Sequence, residues 1–155
     1  MRIIAGLENR HDGQIEKPGR VAMVFQEPTL MPWRSVADNL AITLGLSQSE
    51  ITKVLQEVGL DERGTAFPNQ LSLGQQRRLS LARAFAGKPD LLLLDEPFVS
   101  LDEKLADEMM TLFERLRAKR PVATLIVTHA LDEATRLASR ILELSGSPAR
   151  LLTRT

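Results

Sequence analysis

Asp95 and Glu96 stand side by side directly after four leucines in "PDLLLLDEPFVSLD", residues 89–102. Two carboxylates held where a buried run emerges suit a definite chemistry: one coordinates Mg²⁺ on a nucleotide's phosphates, and its neighbour orients or deprotonates an attacking water. The plainer alternative is a turn that leads into a helix. Other polar residues sit at comparable junctions. Gln26 closes "RVAMVFQ" (20–26), His129 closes "VATLIVTH" (122–129), and Ser72 and Gln75 open "LSLGQQRRLSLARAF" (71–85). Each has an ordinary explanation by itself. Gln26 alone says almost nothing, and His129 before a helix suits a structural or capping role. Ser72 with Gln75, and Ser100 with Glu103, have the spacing of capping boxes. A capped N-terminus also turns backbone N–H groups toward an arriving anion.

The segments that must position these residues alternate in type. "RVAMVFQ" is a short apolar run that stops before Pro28, which predicts a buried strand with Gln26 at its end. "SQSEITKVLQEVGLD" opens with Ser47 and Glu50 in capping-box register, sets Ile51, Val54, Leu55 and Val58 on one face, and closes at Gly59. A second helix follows Ser72, with Leu81 and Phe85 one turn apart, and ends near Gly87 and Pro89. "LLLL" then predicts a strand, and 103–118 a helix carrying Leu105, Met109, Leu112, Phe113 and Leu116. After Pro121, "VATLIVTH" predicts a further buried strand, and a later one falls near "RILEL". Unbroken apolar strands alternating with helices call for a parallel sheet covered on both faces, with right-handed crossovers. Ligands of such sheets sit at the carboxyl ends of the strands, which places Gln26, Asp95, Glu96 and His129 on one edge.

Composition narrows the setting. The 155 residues suit about one domain, and 43% hydrophobic content supports a core. Lys plus Arg equals Asp plus Glu at 20 each, so no overall field draws the chain to nucleic acid. With no cysteine there is no disulfide framework, thiolate metal site or thiol nucleophile. "MRIIAGLENRHDG" lacks the pattern of a signal peptide, and no run approaches the roughly 20 apolar residues of a membrane span. "MPW" lies in a proline-flanked loop with Arg34, where Trp33 suits either core burial or contact with a partner.

Taken together and in order, these motifs resemble the ATP-binding cassette (ABC) ATPases, the nucleotide-binding subunits of ABC transporters. Gln26 in "VFQEP" matches the Q-loop, "LSLGQQRRLSLARAF" the signature motif, and "LLLLDEP" the Walker B segment with its glutamate. "SLD" (100–102) matches the D-loop, and His129 in "VTHALDEA" the switch histidine. The resemblance covers about residues 1–145. "FQEPTLMPWRSVADNL" is further similar to the importer branch that handles nitrate, sulfonate, taurine or related solutes. The resemblance implies a P-loop NTPase-like (RecA-like) α/β fold. Residues 1–27 and about 88–155 would form its parallel-sheet core, and about 28–87 a helical subdomain. It implies ATP and Mg²⁺, with Asp95 and Gln26 serving the metal and Glu96 acting as general base or water-positioning group. His129 and Gln26 would sense the γ-phosphate end. Ser72, Gly74, Gln75 and Asp102 would serve ATP shared with a second subunit in a head-to-tail dimer. A transmembrane permease would dock in a groove near Gln26 to Trp33, on the cytoplasmic, inner face of the membrane. No nucleic-acid partner is expected.

Two departures stand out. Leu73 replaces the first glycine of "LSGGQ", which narrows the approach of backbone to phosphate and modifies the contact. The phosphate-wrapping loop G-x-x-x-x-G-K-[ST] is absent from the sequence. In the family "RIIAGL" lies just downstream of that loop, so the chain reads as truncated at its front, with Met1 inside the helix that the loop opens. The strand before the loop would lie between those ending at His129 and near "RILEL", leaving two edges unpaired. Each buried unpaired group costs about 1–3 kcal/mol, and several rival a net stability of roughly 5–15 kcal/mol. The expectation is an importer ATPase subunit that does not hydrolyse ATP unaided. The alternative is a non-hydrolysing module that keeps the permease-docking groove. An ABC ATPase of DNA repair or translation fits less well, because the chain is neutral and has no coiled-coil insertion.

Overall fold

The computed structural model describes residues 1–16, 19–146 and 149–152. Strand β1 (Val21–Val24) leads into three helices, α1 (Val36–Leu44), α2 (Gln48–Glu57) and α3 (Leu73–Ala86). Then come β2 (Leu91–Asp95), α4 (Glu103–Lys119), β3 (Ala123–Val127), α5 (Leu131–Leu137), and the short strands β4 (Glu143–Ser145) and β5 (Arg150–Leu152). The main sheet has the order β1-β2-β3 and is parallel throughout. The leucine run takes its centre, where Leu92, Leu93 and Leu94 are all buried, as a strand covered on both faces requires. One hydrophobic cluster joins Val24, Leu92 and Leu94 of the sheet to Leu40 of α1, Ile51 of α2, Phe85 of α3 and Phe113 of α4. Phe85 and Phe113 meet in a tilted pair with centroids 5.9 Å apart.

The helix boundaries follow local chemistry. Ser47 and Glu50 close a reciprocal capping box on α2, and Gly59 takes φ 69° past its end. Ser72 and Gln75 do the same on α3. The box expected from Ser100 and Glu103 does not form. Asp102 is the N-cap of α4 and accepts the Leu105 N–H at 2.9 Å, while Ser100 turns the chain at φ 62°. A carboxylate on the residue next to the helix outcompetes a hydroxyl three residues away.

Two strand expectations are corrected. β3 is not a buried strand: its ends are exposed and its middle half-buried, because β2 is its only strand partner among the described residues. β4, which overlaps the end of "RILEL", is exposed and pairs antiparallel with β5 instead of joining the main sheet. The first residues make one helical turn, with Ala5 N–H donating to Met1 O at 3.0 Å. Gly6 at φ 75° closes it as Leu7 N–H reaches Arg2 O and Gly6 N–H reaches Ile3 O, the bond pattern that ends helices. No helix of the described residues is long and apolar enough to cross a membrane.

Candidate functional site

The register of the sheet assembles the carboxyl edge. Val24 pairs with Leu94, Leu94 with Ile126 and Asp95 with Val127, so the chain leaves all three strands at one level. Gln26 lies two residues past Val24 and is exposed, Asp95 is the last residue of β2, and His129 lies two residues past β3. Glu96 takes φ 45°, a left-handed conformation that costs a non-glycine residue about 1–3 kcal/mol. Its N–H still continues the ladder to Val127 O at 2.9 Å. The reversal brings Glu96 Oε1 to 2.8 Å from His129 Nε2, within ion-pairing distance of the imidazole. The His129 side chain is 87% exposed and that of Glu96 only 25%. The imidazole thus stands in the open while the carboxylate is largely covered.

His129 is steadied through its backbone. Thr128 Oγ1 donates to Glu133 Oε2 at 2.6 Å and accepts the Ala130 N–H at 3.0 Å, which pins the peptide unit that follows the imidazole. Ser72, Gly74, Gln75 and Asp102 occupy the first turns of α3 and α4. No hydrogen bond or ion pair joins them to Gln26, Asp95, Glu96 or His129 among the described residues. Gly74 and Asp102 are linked through Leu105: a Cβ on Gly74 would stand 2.9 Å from Leu105 Cδ1, and the Leu105 N–H caps onto Asp102. Leu73 is 44% exposed at the head of α3.

The donor set tests which metal would fit. No three His, Cys, Asp or Glu side chains among the described residues are grouped to hold an ion. Asp95 and Gln26 offer carboxylate and amide oxygens on one edge. That suits a hard cation that brings phosphate and water ligands with it, and it does not suit a metal caged by protein. Two concavities lie away from this edge, one along β1 and α3 near Arg20, Leu44 and Arg83, the other near Ser35, Thr52 and Asp61.

The family profile described as "ABC transporter" matches residues 1–99, well over half of the chain. The chain belongs to the ABC transporter family. Curated relatives include the "Aliphatic sulfonates import ATP-binding protein SsuB 2" of Frankia alni, 44% identical over 93% of this chain and 59% of that protein. The protein of the same name in Rhizobium johnstonii is 46% identical over 93% of this chain and 59% of its own length. SsuB of a Mycobacterium species is 43% identical over 97% and 64% respectively. The chain thus spans about 60% of the length of these relatives. Among solved structures it resembles the dimeric post-hydrolysis state of the ATP-binding cassette MJ0796 bound to ADP and Pi. The TM-score is 0.64 at 29% identity, covering 76% of this chain and 55% of that one.

Within this ABC-family chain, sequence reasoning missed the residue that shapes the loop before α1. Asn39 is fully buried, and its Oδ1 accepts the Met31 N–H at 2.9 Å. Its Nδ2 donates to the carbonyls of Met31 and Arg34 at 3.2 Å and of Ser35 at 2.9 Å. One amide thus moulds the turn from Met31 to Ser35 and leaves Trp33 71% exposed on top. The signal was a polar residue inside an otherwise apolar helical face. Trp33 is on the surface and not in the core.

Proposed function

We propose that this chain carries the hydrolytic edge and the signature helix of an ATP-hydrolysing subunit that energises import of a small solute through a permease. The observation that carries the reading is the Glu96–His129 contact at the ends of adjacent parallel strands. The names of the relatives favour aliphatic sulfonates as the solute class. Gln26, Asp95, Glu96 and His129 form the half of the site this chain supplies, and Ser72, Gly74, Gln75 and Asp102 face ATP held by a second subunit. The core comprises 1–27 and about 88–155, with the helical subdomain between them.

Bound Mg²⁺ would neutralise phosphate charge, held here by Asp95 and Gln26. Glu96 is the base: its carboxylate orients a water and takes its proton at Oε1. In the structure that oxygen already lies 2.8 Å from His129 Nε2. A γ-phosphate oxygen offers the exposed imidazole a competing acceptor, and its departure frees Oε1 for the water. Thr128 and Glu133 keep the backbone of His129 fixed while its side chain moves.

Phosphate release measured on the 155-residue chain, and on a chain continued upstream through a G-x-x-x-x-G-K-[ST] loop, tests this. The expected result is turnover in the longer chain alone. Turnover in the short chain would defeat the division of labour, and none in the long one would favour the second reading, a docking module that does not hydrolyse ATP. That reading rests on Trp33, exposed on a loop that Asn39 holds in shape.

A further inference from the structure

Three polar side chains at three-residue spacing on α3 reach the backbone of both loops that leave the carboxyl edge. Arg77 Nη1 donates to Pro97 O at 2.8 Å and Nη2 to Val99 O at 3.3 Å. Ser80 Oγ donates to Pro28 O at 2.5 Å. Arg83 donates from Nη1 to Thr29 O at 3.0 Å and from Nη2 to Thr29 Oγ1 at 3.1 Å. The first two therefore bracket one helix between the loop that follows Glu96 and the loop that follows Gln26.

Core packing does not explain this arrangement. Arg77 is 95% buried by its 5% exposure, and its Nε has no hydrogen-bond partner among the described residues. No carboxylate within ion-pairing distance offsets its charge among those residues. A charge placed so is costly unless its bonds do something a hydrophobic side chain cannot. The loops themselves are strained. Thr29 has φ 43°, Glu96 45° and Ser100 62°, all in the left-handed region that non-glycine residues persist in only when the surroundings hold them. Each strained stretch takes a charged or hydroxyl donor from the same face of α3.

We propose that Arg77, Ser80 and Arg83 are positioning residues forming a polar spine that ties the Gln26–Trp33 loop and the Glu96–Asp102 loop to one rigid helix, so that displacement at Trp33 reaches Glu96. The importance of the two loops rests on the function proposed above, whereas the mechanical link does not.

The link is read without nucleotide, by amide hydrogen exchange on the 155-residue chain. The reporters are Val99 N–H, which donates to Glu96 O at 3.3 Å, Leu101 N–H to Phe98 O at 3.4 Å, and Arg34 N–H to Met31 O at 3.2 Å. Arg77→Met should speed exchange at Val99 and Leu101 about tenfold, and should also speed Arg34 and shift the emission of Trp33, the chain's single tryptophan. Arg83→Met should act first at Arg34 and secondarily at Val99. Arg77→Lys, which keeps one donor for the nearer carbonyl, should restore part of the protection. If each substitution loosens only its own loop, or if exchange rises equally across α4 and β2, the spine is not a link. Should Arg77→Met fail to fold, Ser80→Ala removes a single oxygen, and unchanged exchange at both Arg34 and Val99 then overturns the proposal. Failure of any arm leaves the phosphate-release experiment to stand or fall separately.

Discussion

At the scale of single residues, the pairing of Glu96 with His129 decides what this edge can do. In a chain continued through a phosphate-binding loop, Glu96→Gln is expected to keep ATP binding and lower turnover by orders of magnitude, because the amide preserves shape but cannot take a proton. Equal turnover in a phosphate-release assay would dismiss Glu96 as the base. Asn39→Asp replaces two donors with an acceptor facing the carbonyls of Met31, Arg34 and Ser35. An unsatisfied buried group costs about 1–3 kcal/mol, so the midpoint of denaturant unfolding should fall accordingly and the emission of Trp33 should change. These residues differed in legibility. The acids declared themselves by following four leucines, and His129 by closing an apolar run. Asn39 and Arg77 did not: a polar residue on an apolar helical face hints at burial, but its role is unreadable until the carbonyls it serves are brought alongside.

Among the elements, capping chemistry was the most readable layer, and it failed once, at Ser100, where the better acceptor two residues on took the helix. The α2 box also gives a pH signature. The Glu50 carboxyl lies below its ordinary value of 4.5, chiefly because the Ser47 hydroxyl donates to it and then because the Ser47 N–H does. A depressed folded value means that its stabilisation is fully present above the unfolded value and is lost as pH falls through the folded one. Protection of the Ser47 amide, followed by NMR, should therefore fade on acidification below pH 4.5. In Glu50→Gln it should not vary with pH. The contact between α3 and α4 offers a second test. Gly74→Ala sets a methyl 2.9 Å from the flexible end of Leu105, an overpacking worth about 1 kcal/mol. In a Leu105→Ala background the same change should be nearly neutral in thermal unfolding, and a cost that survived would place the clash elsewhere.

For the molecule as a whole, the parallel sheet was legible from its apolar runs, but the burial of β3 was not. Its alternation-free sequence reads as a strand flanked on both sides, and the described residues pair only one side. Val127 is left 36% exposed at the rim. An open edge recruits other edges. Sedimentation velocity should show association of the 155-residue chain rising with concentration, reduced by Val127→Lys. A sharply monomeric chain at every concentration would show that the edge is covered.

The loop bearing Trp33 has a consequence for how such a protein changes its companions. Asn39 grips only main-chain atoms of Met31, Arg34 and Ser35, and is indifferent to the side chains displayed above it. The crest can be rewritten letter by letter while its mounting stays the same, so new acquaintances are open to it without the body being rebuilt.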